Sequence, residues 1–189
     1  TMIWGVFTSA VGQPLASFQA GQSIFMKLKV PPEAFILAGM SKIIFELLIR
    51  IIVLVPVFIV LKIVPATTFW LFPVGLAAAV LIGAAIGFMI IPLGSLYSDV
   101  SRLVSTALGF GMYLTPIVYP PPASGWSSVI VQWNPMTAVV MVTRDWLTLG
   151  HSTFLMPFLL TTMIAAVALF AGILVFRVVL PLLVERMGM

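Results

Sequence analysis

Three charged residues interrupt an apolar run at four-residue spacing: Lys42, Glu46 and Arg50. Each four-residue step turns about 40° around a helix, so the three form one stripe. If that run crosses a bilayer, each charge costs about 3 kcal/mol on insertion scales, so the charges must pair or face an interior. One reading is a self-neutralised ladder snorkelling near a span end. The other is a polar lining of a conduit, or a subunit contact. Glu46 alone suggests proton carriage, but two cationic neighbours favour its ionised form and make it a poor proton carrier. A second polar concentration follows at Ser101, Ser105, Thr106, Gly109, Gly111, Tyr113, Thr115 and Tyr119. These hydroxyls either bond back to their own helix or wall a path for a hydroxyl-rich ligand. Sugars stack on aromatic faces, which suits Phe110, Tyr113 and Tyr119.

Several enzymatic chemistries fail on inventory. His151 is the sole histidine and cysteine is absent, which leaves no two-histidine or thiolate metal site. No Gly-x-Ser-x-Gly elbow is present, and Gly94-Ser95 has no base nearby. No lysine completes a nucleotide-binding Gly-x-x-x-x-Gly-Lys loop, so any use of ATP falls to another chain. Arg144 and Asp145 are expected to form a local ion pair at the external interface.

The elements that position these groups follow from composition. Of 189 residues, 62% are hydrophobic and 7% charged, with a mean hydropathy of +1.24. Soluble domains carry about 25% charged residues, so this chain belongs in a bilayer. Apolar runs near the roughly 20 residues that a helix needs to span one recur along it. The fold class is therefore an all-α integral membrane protein, a polytopic helical bundle of about five spans, near residues 2–18, 34–61, 69–93, 103–119 and 154–176. The chain opens at Thr1 on an apolar segment without a signal-peptide pattern, which suggests an N-terminally truncated piece of a six-span parent. The whole of 1–189 reads as one transmembrane domain.

Gly75, Ala79, Gly83 and Gly87 recur every fourth residue in the third run, a spacing that lets helix backbones approach within the chain or between copies. Segment 120–152 is too polar to span, yet it holds Trp126, Trp133 and Trp146. Asn134-Pro135 reads as a helix start, because Asn caps and Pro is tolerated at the first helical position. Short interfacial or re-entrant external helices fit this segment. The net charge of +4 concentrates at span ends. Placing Lys27, Lys29, Arg102, Arg177 and Arg186 inside leaves mainly Lys62 and Arg144 outside, which puts the C-terminus in the cytoplasm.

The order of motifs resembles the permease subunits of bacterial ABC transporters that export polysaccharides, such as O-antigen, capsule and teichoic-acid exporters. Three pieces carry the likeness: 23–33 with its lysines and prolines, Leu96-Tyr97-Ser98-Asp99-Val100, and Leu114-Thr115-Pro116-Ile117-Val118-Tyr119 followed by Trp133-Asn134-Pro135-Met136, Arg144 and Gly150. Ser98 stands where that family usually has arginine. The resemblance implies a homodimer in the bacterial inner membrane, with ATP and magnesium on a separate cytoplasmic ABC ATPase subunit. It makes 19–33 a cytoplasmic coupling segment in which Gln22, Phe25, Lys27, Lys29 and Glu33 meet the ATPase, with Asp99 and Arg102 as a lesser contact. Glu46, Arg50, Phe110, Tyr113 and Tyr119 are expected to line the conduit for a lipid-linked glycan. Trp126, Trp133, Asn134 and Arg144 are expected to form an external gate. A drug- or lipid-exporting ABC permease and a gradient-driven transporter using Glu46 are the alternatives.

Overall fold

The computed structural model describes residues 1–25, 31, 33–60, 62, 65–121 and 125–187, and every regular element among them is a helix. In chain order these are α1 (Met2–Phe25), α2 (Glu33–Val60), a 3-10 turn (Thr67–Leu71), α3 (Phe72–Leu96), α4 (Asp99–Leu114), α5 (Trp126–Trp133), α6 (Pro135–Thr148) and α7 (Leu155–Met187). Three of these stretches are long and apolar enough to cross a membrane: α2, the 3-10 turn with α3, and α7. The other two expected spans differ in kind. α1 is long enough at 24 residues, but Thr8, Ser9, Gln13, Gln19 and Gln22 dilute its apolar character. α4 has 16 residues and rises about 24 Å, short of the roughly 30 Å hydrocarbon core.

α1 runs seven residues past its expected end and straight through Pro14. The proline frees the carbonyl of Ala10, and Gly87 of α3 lies directly against that carbonyl and the Pro14 ring. A neighbouring helix that covers the freed group makes such a proline tolerable in a membrane helix.

α3 is the centre of the bundle. Ala79 and Leu76 are fully buried, and Gly75, Gly83 and Gly87 face neighbouring helices. Gly83 meets Phe7 and Ala10 of α1, while Gly75 meets Thr143 of α6. The four-residue stripe therefore serves packing within the chain. Trp4, Phe7 and Val11 of α1, Ala78 and Ile82 of α3, and Met136, Val139 and Val142 of α6 share one apolar cluster. Phe176 of α7 packs edge-on against Phe18 of α1 and Phe88 of α3. α2 fully buries only Ile36, Gly39 and Ile43, packs Leu47, Ile51 and Leu54 half-buried against Val6, Phe72 and Leu76, and turns most of its other apolar residues outward, as a lipid-facing helix does.

α5 and α6 form a helical hairpin inside the expected 120–152 segment. Asn134 caps α6 by accepting a hydrogen bond from the Met136 amide at 3.0 Å, with Pro135 at the first helical position. α6 is buried on most of its surface, from Met136 to Val142 without a break.

Candidate functional site

A cavity of about 580 Å³ opens between α1 and α4, with Ile90 of α3 behind it. Its polar lining comes from Thr8, Ser9, Gln13 and Gln19 of α1 and Ser101 and Ser105 of α4. Phe7, Ala10, Val11 and Pro14 of α1 are buried, which leaves the polar residues on the flank toward α4. The apolar part is Trp4, Val11, Leu15, Val104 and Leu108. Among the described residues, no charged side chain lines this groove.

The groups in the groove are hydrogen-bonding and neutral. Thr8 Oγ1 donates to the Gly5 carbonyl at 3.0 Å, Ser101 Oγ to Ser98 at 3.1 Å, and Ser105 Oγ to Arg102 at 2.9 Å. These hydroxyls thus spend their protons on their own helices and keep acceptor lone pairs. Gln19 Nε2 donates to the Gly94 carbonyl at 2.9 Å, which satisfies one of the last orphan carbonyls of α3. Ser9 and Gln13 make no hydrogen bond among the described residues and are half-buried, so they remain available to a ligand.

The residues expected to line a conduit divide into three places, none of them in this lining. Arg50 donates from Nε to Glu46 Oε1 at 3.2 Å, makes a close ion pair through Nη2, and donates from Nη1 to the Met2 carbonyl at 3.0 Å. Its guanidinium also covers Gly5. The Glu46–Arg50 step of the stripe therefore braces the start of α1, while Lys42 is exposed and forms no ion pair among the described residues. Phe110 and Tyr113 are 68% and 78% exposed on α4, and with Leu103 and Thr106 they make one outward stripe at helical spacing. Tyr119 folds back, and its hydroxyl donates to the Tyr113 carbonyl at 3.0 Å.

The residues expected to form an external gate are joined more closely. Asn134 Nδ2 donates to Thr115 Oγ1 at 2.8 Å, and Thr115 donates onward to the Gly111 carbonyl at 2.9 Å. Thr115 is fully buried. The tip of the α5–α6 hairpin is thereby fixed to the end of α4, across nineteen positions of sequence. Trp126 and Trp133 are 88% and 84% exposed on α5. Arg144 lines a separate cavity of about 220 Å³ with Thr1, Ile3, Leu54 and Ile117.

The expected Arg144–Asp145 ion pair does not form. Adjacent helical residues point about 100° apart. Asp145 is buried and accepts from Ser152 Oγ at 2.8 Å. Its carbonyl receives the amides of Leu149 and Gly150, and Gly150 takes the left-handed conformation, φ +80°, that ends the helix.

At the other end of the bundle, Gln22 lies in the last turn of α1, and Asp99 and Arg102 are exposed at the start of α4. Lys27 and Lys29 lie outside the described residues, as does the side chain of Phe25. Glu33 opens α2 and is exposed. Sequence reasoning missed the α1 wall of the groove. Its signal was the recurrence of Thr8, Ser9, Gly12, Gln13, Ala16 and Gln19 at helical spacing within an apolar segment.

Residues 1–148 match the family model described as ABC-2 type transporter. A comparison with curated proteins finds no match. The chain belongs to the ABC-2 type transporter family and is a membrane component of an ATP-driven transporter that works with an ATPase subunit.

Proposed function

We propose that this permease exports a lipid-linked polysaccharide or glycan precursor across the bacterial inner membrane as a homodimer. ATP and magnesium bind the separate cytoplasmic ABC ATPase. The observation that carries the reading is the α1–α4 groove, whose neutral hydroxyls and free Gln13 amide suit a hydroxyl-rich chain. Trp4, buried against Phe7 and Gly111, forms an apolar wall of the groove. The outward stripe of Phe110 and Tyr113, with Trp126 and Trp133, supports a second copy as the partner that closes the conduit.

In this cycle the ATPase docks on 19–33, through Gln22, Phe25, Lys27, Lys29 and Glu33, with Asp99 and Arg102 at the foot of α4. Nucleotide binding displaces α4 and widens the groove. Trp126, Trp133, Asn134 and Arg144 act at the exit.

A drug- or lipid-exporting reading draws on the apolar back of the same groove, Val11, Leu15, Val104 and Leu108. The gradient-driven reading has less support, because Glu46 is engaged with Arg50, which in turn bonds the Met2 carbonyl, in a brace at the start of α1. Reconstitution with the cognate ATPase decides among these. Gln13→Leu with Ser105→Val should cut glycan export about tenfold or more while leaving ATPase docking intact, from the loss of one or two hydrogen bonds in a water-poor site. Undiminished glycan export, or an equal loss for a small apolar drug, counts against the glycan assignment.

A further inference from the structure

A second cavity, of about 230 Å³, lies among α2, α3 and α7 and shares no lining residue with the α1–α4 groove. Its walls are apolar: Ile36, Leu37 and Met40 of α2, Phe88 of α3, and Ile173 and Phe176 of α7. Two charges complete the lining, Glu33 and Arg177. Glu33 is the first residue of α2, and Arg177 stands about 33 Å along α7, so both sit where those helices leave the hydrocarbon. Both are exposed, and neither forms an ion pair with the other or with another described residue.

An apolar slot in a bilayer has acyl chains as its ready filler, because water is absent there. The head group is selected by the rim. A guanidinium matches phosphate oxygens with a fork of N–H donors. A carboxylate beside it repels a purely anionic head group but attracts an ammonium. One cation and one anion, lining the same slot yet out of pairing contact, complement a head group that carries phosphate and ammonium a few ångströms apart.

We propose that this slot binds one aminophospholipid, with its phosphate on Arg177, its ammonium at Glu33 and an acyl chain against Ile36, Met40 and Phe88. The bound lipid joins α2, which buries little of itself in the chain, to α7. It is a resident lipid rather than cargo, and it stands independently of the glycan reading.

The test uses the full-length protein in nanodiscs of equal phosphatidylethanolamine, phosphatidylglycerol and phosphatidylcholine. After mild detergent extraction, retained lipid is counted per chain by native mass spectrometry. Phosphatidylethanolamine should be retained over both others, at about one per chain. Arg177→Gln should lower that retention about tenfold, the effect of losing charge-assisted bonds to phosphate, while Arg177→Lys keeps most of it. Glu33→Gln should erase the preference among the three lipids, and Met40→Trp, which fills the slot, should lower all of them. Lipid is read on the permease alone, so a defect in ATPase docking does not enter. Retention in bilayer proportions by the wild type, a preference for phosphatidylglycerol, or unchanged retention in both Arg177→Gln and Met40→Trp overturns the proposal.

Discussion

The bond between Asn134 and Thr115 joins two distant parts of the sequence, and its worth is separable from the cap that Asn134 also provides. Asn134→Ala removes both functions. Losing an N-cap costs about 1 kcal/mol. Losing an interhelical hydrogen bond in a membrane protein costs about 0.6 kcal/mol on average, and more where the partner is left buried and unpaired. Thr115 is fully buried but keeps its bond to the Gly111 carbonyl at 2.9 Å, so the lower figure applies and the total is about 1.6 kcal/mol. Asn134→Ser keeps a capping oxygen yet falls short of Thr115, so about 0.6 kcal/mol should be lost. Thr115→Val should cost a similar amount or more, since it also removes the bond to Gly111.

The assay is reversible unfolding in mixed micelles, on Asn134→Ser, Thr115→Val and their combination. The double variant should be less destabilised than the sum of the singles by about 0.6 kcal/mol. Strict additivity would refute the link, as would Asn134→Ser losing as much as Asn134→Ala. Export measured on the same variants should fall further than stability does, because the link also holds the upper end of α4.

Four other outcomes are expected. At Gly83 a β-carbon would stand 2.7 Å from the Phe7 carbonyl oxygen, so Gly83→Val should cost about 3 kcal/mol in the same unfolding assay; Gly12, with nothing within 4 Å of its β-position, should accept alanine with a gain of about 0.5 kcal/mol. Thr137 Oγ1 is buried without a hydrogen-bond partner among the described residues, so the isosteric Thr137→Val should stabilise by about 1 kcal/mol, seen as a higher melting temperature in detergent. Reversing the charges of Lys27 and Lys29 together to Glu should abolish capture of the ATPase in a mild-detergent pull-down while membrane insertion is retained; full capture would remove 19–33 from the coupling role.

Much of the fold is legible because a bilayer simplifies the code. The long apolar runs locate α2 and α3 to within a few residues and the start of α7, which continues eleven residues past its expected end at Phe176, and the Asn134-Pro135 pair marks the start of α6 because a cap and a proline answer the same orphan-donor problem. The stripe at Gly75, Ala79, Gly83 and Gly87 is visible as spacing, and its partners turn out to be α1 and α6. Other features are hidden for identifiable reasons. A proline such as Pro14 ordinarily ends or kinks a helix, yet α3 covers the carbonyl that it frees, and the helix continues. Periodicity shows that Glu46 and Arg50 share a face but cannot show that Arg50 reaches the Met2 carbonyl, forty-eight positions away. The Arg144–Asp145 expectation relied on adjacency in sequence, which a helix converts into divergence.

The packing is uneven in a way that bears on the proposed cycle. Between α1 and α3 backbone lies close against backbone at Gly83 and Gly87, so at those positions the seam cannot shorten. α4 is held differently. At its foot the Tyr97 amide bonds to the Leu93 carbonyl and the Val100 amide to Tyr97; at its head stands the Thr115–Asn134 bond; along its inner length it lines the groove, and Val104, Leu108 and Met112 pack half-buried against the core. In the proposed cycle a push at Asp99 and Arg102 moves α4, none of whose described residues is fully buried, as a rod about its upper tie and widens the groove while α1 and α3 stay together. The same tie carries the displacement to the α5–α6 hairpin, since that hairpin ends on Asn134. An intact groove with a severed tie should therefore still bind glycan and still dock the ATPase, yet transport slowly. Asn134→Ser is the variant in which those three readouts should part.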